Sequence, residues 1–201
     1  MKAKILEKAE DLFITLGFKS VTMDDLANAL GVSKKTIYHH FPNKTKLVEE
    51  TTLNLFSKIN ARVDHIRAEA KNPIEELYEI KKFVMHYLKD EKSSPQHQLQ
   101  KYYPKIFNNI RQKQFNMMET CTVDNVKRGI QQGIYRENLN IDFISRIYFS
   151  GVISIKDPVL FPVEKFPVVA LQDDFLEYHL RGIVTPKGRK ILNEIINSNH
   201  D

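Results

Sequence analysis

Val21-Thr22-Met23-Asp24-Asp25-Leu26-Ala27-Asn28-Ala29-Leu30-Gly31-Val32-Ser33-Lys34-Lys35-Thr36-Ile37-Tyr38-His39-His40-Phe41 packs two helix starts and one helix stop into a single short run. Thr22 stands three residues before Asp25, the spacing of a capping box, and Val21 and Leu26 stand where a hydrophobic staple closes the same turn. Met23, Leu26, Ala27 and Leu30 then form one apolar face about two turns long, and Gly31 supplies the positive φ that stops it. Ser33 caps the next helix, with Val32 and Ile37 repeating the staple. Two short helices joined this tightly must cross at a steep angle.

Working outward, Ile5, Leu6, Ala9, Leu12, Phe13 and Leu16 recur at helical spacing, and Gly17 stands where a left-handed cap ends that helix. On the other side, beyond Phe41-Pro42, Asn43 caps a longer helix that reaches roughly 64–70, with Leu47, Leu55, Phe56, Ile59 and Val63 on its apolar side. After Asn72-Pro73 the pattern predicts helices over 73–90, 95–103, 104–132, 140–156, 169–183 and 186–197, with a bent connection where Pro158, Pro162 and Pro167 forbid a continuous helix. No segment alternates convincingly as a strand. The expectation is an all-α chain: a three-helix DNA-binding domain with a helix-turn-helix over 1–46 and a larger helical effector-binding and dimerisation domain over 47–201.

A chain of 201 residues with 42% apolar and 27% charged residues has the composition of a folded globular protein. It begins directly in a charged amphipathic pattern, with no apolar signal-peptide core, and charges interrupt every hydrophobic run, so a cytoplasmic location is expected. The single Cys121 forms no internal disulfide and, lying on an apolar run with Met117 and Met118, reads as core. The adjacent His39 and His40 point about 100° apart on a helix and have no ligand partner nearby in sequence, so no metal is expected. No nucleophile elbow, Gly-rich phosphate loop or zinc motif is present, and no catalytic role is assigned.

The net charge of +5 matters less than its placement. Between Ser33 and Lys46 stand Lys34, Lys35, Lys44, Lys46, His39 and His40, without one Asp or Glu. A recognition helix in a major groove needs polar side chains on one face, apolar anchors on the other and cations at its edges. Ile37 and Phe41 are placed to anchor; Lys34, Lys35, Thr36, Tyr38 and His39 are placed to face outward. The helix start at Asn43-Lys44 adds free N–H groups and a positive dipole end for one more phosphate. On periodicity and charge alone, a small helical domain with a solvated lysine face fits as well.

The run Leu12-Phe13, Gly17-Phe18, Val21 to Ala27, Gly31-Val32-Ser33, Thr36 to Phe41 and Asn43-Lys44, ending at Leu47, resembles the N-terminal DNA-binding domain of the TetR family of bacterial regulators. The resemblance implies that Thr22 caps the second helix and touches phosphate, and that Ser33 to His39 form the turn and recognition helix. Lys34, Lys35 and Thr36 are then the base-edge readers, Tyr38 and His39 hold phosphates, and Lys44 is a backbone clamp. Lys35 stands where the family commonly has Gly, and Leu30 where Ala is more usual.

The same resemblance implies a homodimer built on the last long helices. Ile144, Ile147, Tyr148, Gly151, Val152 and Ile155 form a wide stripe, and Phe175, Leu176, Leu180 and Ile183 a second one. In a monomer both stripes read as internal core. It also implies an unidentified small-molecule effector, with Tyr87, Tyr103, Phe107, Phe115, Met118 and Cys121 as candidate lining residues for an apolar or amphipathic molecule, although aromatic and Met residues at helical spacing are also ordinary core. The function expected is a ligand-responsive repressor that binds a palindromic operator as a homodimer, without a cofactor. Two readings from other classes stay open at this level: a protein-binding antagonist that kept the fold but lost DNA binding, and a small-molecule enzyme on a helical bundle.

Overall fold

The computed structural model describes residues 1–87, 95–157, 159–162 and 164–198, with the side chains of 87, 95 and 96 set aside. Among them the helices are α1 (Lys2–Leu16), α2 (Met23–Leu30), α3 (Lys34–His40), α4 (Lys44–Glu69), α5 (Pro73–Tyr87), α6 (Pro95–Tyr102), α7 (Pro104–Gln131), α8 (Ile141–Ser154), α9 (Val168–Ile183) and α10 (Pro186–Ser198). The described residues contain no strand beyond one isolated bridge between Tyr135 and Val184. The all-α expectation holds among the described residues, and the helix limits differ from the periodicity reading by a few residues at most; the expected end of the 73–90 helix, at 88–90, lies outside the described residues.

The caps explain the limits. Asn43 accepts the Lys46 N–H at 2.8 Å, Asn72 accepts the Ile74 and Glu75 N–H groups at 3.0 Å, and Asn140 accepts that of Phe143 at 3.1 Å. Gly17 departs from expectation: at φ 83, ψ 156 it is not left-handed helical but extended with positive φ, a region essentially reserved for glycine. A Cβ there would also overlap the Gln98 amide, which lies directly over it.

The chain divides into two compact units, 1–62 with 86–114, and 63–85 with 115–201. This division does not follow a single cut after residue 46. The first unit is built on Ile5, Phe13, Leu26, Ile37, Phe41 and Leu47, with Leu99, Ile106, Phe107 and Ile110 of α6 and α7 buried in the same cluster. Tyr103 and Phe107, expected to line an effector pocket, therefore pack with the three-helix core, Tyr103 edge-on to Phe18 at 6.4 Å. Packing across a large sequence separation of this kind leaves no trace in local periodicity.

The second unit is built on Ile74, Tyr78, Val126, Tyr135, Leu176, Leu180, Ile183 and Leu192. Glu76, fully buried, accepts from Asn125 Nδ2 at 3.1 Å and from Arg128, and Asp124 takes Arg67 and Arg128 at 2.9 Å each. The Glu76 charge is tolerable in the interior because it is paired, while Asp124, Arg67 and Arg128 keep part of their surface in solvent. Within the unit α8 meets α9 through Gly151, where a Cβ would overlap the Phe175 ring, and through Tyr148, which lies 4.6 Å from the His179 ring and stacks on Phe175 at 5.9 Å.

The same packing bears on the expected dimer face. Leu176, Leu180 and Ile183 are 2%, 0% and 2% exposed within a single chain, and Ile155 is also buried, so these four have essentially no surface left to give to a partner. The stripe on α9 is wide enough to serve the internal core, and the core takes it.

Candidate nucleic-acid interface

The helix-turn-helix is fixed by hydrogen bonds at both ends of α2. Thr22 Oγ accepts the Asp25 N–H at 3.1 Å, and the Thr22 N–H donates back to Asp25 Oδ2 at 2.8 Å, completing the capping box. These bonds from Thr22 hold the Asp25 carboxyl below the usual carboxylate range. At the far end Gly31 is left-handed at φ 64, its N–H donating to Asn28 O at 3.1 Å while Val32 N–H donates to Ala27 O at 3.0 Å, a Schellman stop. Ser33, two residues after Gly31, then accepts the Thr36 N–H at 3.1 Å and caps the start of α3 at Lys34.

Ile37 and Phe41 are fully buried and seat α3 on the core. Lys34, Lys35, Tyr38 and His39 are exposed, Tyr38 by 43%, and Thr36 is half-buried with its hydroxyl 2.9 Å from that of Ser33. Seven of the eight residues read from sequence as DNA contacts thus sit together along the turn and α3 or at the α2 cap. Their states differ. Lys34 Nζ lies 2.7 Å from Asp24 Oδ2, and that hydrogen bond raises its pKa above the ordinary lysine value. Lys35 takes part in no ion pair among the described residues, which leaves it the freer of the two cations.

Lys44, the eighth residue, opens α4 and donates from Nζ to the Lys19 carbonyl at 3.1 Å. Partial burial pulls its pKa below the ordinary value, with the Asp25 charge working the other way. Two neighbours were not among the sequence candidates: Asp24, which occupies Lys34, and Lys19, whose backbone positions Lys44. The Asp24 to Lys34 pairing spans the turn and has no helical-spacing signal. Lys19 lay outside the acid-free stretch that drew attention.

Residues 5–51 match the family model described as bacterial regulatory proteins, tetR family. The chain carries the DNA-binding domain of the TetR family. Along 71% of its length it is 26% identical to the HTH-type transcriptional repressor KstR2 of Mycolicibacterium smegmatis, covering 71% of that protein. Two solved structures share the whole fold. A regulator from Saccharomonospora viridis in complex with choline aligns over 92% of this chain and 97% of its own, at 21% identity and a TM-score of 0.76. The ketosteroid regulator KstR2 of Mycobacterium tuberculosis aligns over 92% and 95%, at 23% identity and a TM-score of 0.57. With this DNA-binding domain at residues 5–51 and relatives named as transcriptional repressors, the chain is a DNA-binding transcription regulator rather than an enzyme.

The remaining candidates in this regulator are spread out. Phe115 packs edge-on to Phe149 at 5.1 Å with the Arg146 guanidinium 5.4 Å from its ring, Met118 is half-buried, and Cys121 Sγ lies 3.7 Å from Met117 Sδ. Burial raises the Cys121 thiol pKa, and Arg67, a basic neighbour invisible in sequence, only partly offsets it. The Tyr87 side chain lies outside the described residues. Tyr103 and Phe107 belong to one compact unit, and Phe115, Met118 and Cys121 to the other. On α8, Ile147 is 46% exposed, and Ile144, Tyr148, Gly151 and Val152 are half-buried. Phe143, 58% exposed one turn before Ile147, and Tyr178, 80% exposed on α9, were missed, although Phe143 and Ile147 share i, i+4 spacing.

Among the described residues no helix is long and apolar enough to cross a membrane, and no group of three His, Cys, Asp or Glu side chains converges as metal ligands do.

Proposed function

We propose that this chain is a cytoplasmic, ligand-responsive repressor that binds a palindromic operator as a homodimer. The observation that carries the reading is the exposed, acid-free face of α3, pinned to the core by Ile37 and Phe41 and flanked by the Thr22 and Lys44 anchors. Lys35 and Thr36 read base edges directly, and Lys34 joins them once DNA competes it away from Asp24. Tyr38, His39, Thr22 and Lys44 hold phosphates, with Ser33 setting the turn. Residues 1–46 do the reading; 47–201 bind the effector and the second subunit.

The partner copy covers the α8 and α9 surface that carries Phe143, Ile147 and Tyr178, with Ile144, Tyr148 and Val152 at its edge. Pairing sets the two recognition helices about one DNA turn apart, roughly 34–36 Å. An apolar or amphipathic effector that prefers another setting of α4 lowers operator affinity through that spacing. Support for such an effector comes from the half-buried Phe115, Met118 and Cys121 and from the choline complex of a structural relative.

Selection of genomic fragments on the purified protein, followed by gel shift, tests the reading. A short palindrome with salt-sensitive binding is expected, and Tyr38→Ala or Lys44→Ala lowers affinity about tenfold while folding and dimerisation persist. Full affinity in both variants overturns the contact assignments.

A further inference from the structure

Acid-free sequence occurs in two long runs. Residues 26–48, which hold the recognition helix, contain no Asp or Glu, and neither do residues 92–118, which carry Lys92, Lys101, Lys105, Arg111 and Lys113. The second run lies far along the chain, yet its described part through residue 114 belongs to the same compact unit, because Leu99, Ile106, Phe107 and Ile110 are buried with the α1 to α3 core.

The two runs are linked through Lys19. Its carbonyl accepts the Lys44 ammonium at 3.1 Å, and its N–H donates to Gln98 Oε1 of α6 at 3.0 Å. Its own ammonium stands 5.3 Å from the centre of the Tyr102 ring, and the Lys101 ammonium stands 5.6 Å from the same ring. A strip therefore runs from the half-buried Lys44 at the start of α4, through the exposed Lys19, to the exposed Tyr102 and Lys101 at the end of α6.

Neither Lys19 nor Lys101 forms an ion pair among the described residues. A ring face attracts an ammonium without using up its N–H donors, so both cations remain able to bond an anion. The strip begins at the phosphate clamp, where Lys44 feels the Asp25 charge, and beyond it Lys19 and Lys101 pair with no carboxylate among the described residues, which makes the flank of the same duplex their natural partner.

We propose that Lys19 and Lys101, gathered on the Tyr102 ring, form a second phosphate-binding edge that extends each subunit's DNA contact beyond the half-site read by α3. The proposal rests on the DNA-binding reading above. It adds a contact from a helix outside the helix-turn-helix.

The test uses two duplexes with the same selected operator centre. One is trimmed to the palindrome, and the other is longer by about one helical turn, roughly 10 base pairs, on each side. Anisotropy titrations across a salt series compare the full-length protein with Lys19→Ala/Lys101→Ala and with Lys101→Gln alone, a change at an exposed position. The wild type is expected to bind the longer duplex more tightly and with a steeper salt dependence. The double variant loses that advantage, about tenfold, and its log–log salt slope falls by roughly 0.9 for each contact removed, while binding to the trimmed duplex is unchanged. Lys101→Gln gives about half the slope change, and its single exposed substitution leaves the fold intact.

Equal wild-type affinity for the two duplexes overturns the proposal. So does a double-variant loss that is the same on both, since that places the lysines inside the half-site or in the fold. A wild type that binds neither duplex overturns the DNA-binding reading itself, a result distinct from both.

Discussion

His179 shows how a single buried residue makes stability depend on pH. It is enclosed by Tyr148 and Phe175, and burial pulls its pKa from 6.5 down to about 4. The unfolded chain therefore binds a proton more readily than the folded one between those values. Stability from this residue is complete above pH about 6.5 and is lost as pH falls toward about 4, by roughly 3 kcal/mol in total. Thermal melts from pH 7.5 to 4.5 are expected to show this fall, and His179→Phe, which cannot be protonated, to flatten it; identical profiles for the two proteins would refute the assignment. Neither the burial nor the partners of His179 were legible in sequence, because Tyr148 lies on another helix and a His within an apolar stripe carries no signature of its own. Thr22, Ser33 and Asn43 are the opposite case: a cap depends on the three residues that follow it, so spacing alone was enough to place their hydrogen bonds.

At the level of elements, α8 and α9 pack closely because Gly151 leaves room for the Phe175 ring. A methyl group there must push the ring aside, and Gly151→Ala is expected to lower stability by about 1–3 kcal/mol even though alanine is the better helix former. Urea unfolding measures it, and a stabilised variant would mean that the ring relocates without penalty. The sequence placed Gly151 in the apolar stripe of α8 but did not show which helix approaches it. Spacing reports which face of a helix is apolar, and both an internal neighbour and a partner subunit satisfy that pattern. For this reason Leu176, Leu180 and Ile183 were read as interface residues, whereas they close the internal core.

For the whole molecule, the exposed Phe143 and Ile147 on α8 and Tyr178 on α9 are, with Val168 and Val169 at the start of α9, the large apolar groups left uncovered on the helices proposed to pair. Phe143→Asp/Ile147→Asp is expected to raise the dimer dissociation constant at least a hundredfold, because two charges per subunit would be buried without partners. Sedimentation at micromolar concentration reads the outcome, and an undisturbed dimer moves the interface elsewhere. By itself the sequence determined the helix-turn-helix, the helix order and the lysine-bearing face of α3, because capping, glycine stops and 3.6-residue periodicity are local properties of the chain. Tertiary structure alone decided that α6 and the start of α7 join the DNA-reading core, that Asp24 occupies Lys34, and which apolar stripe of α9 stays inside. Those outcomes depend on contacts between residues far apart in sequence, where burial and charge pairing are settled only once the helices have packed.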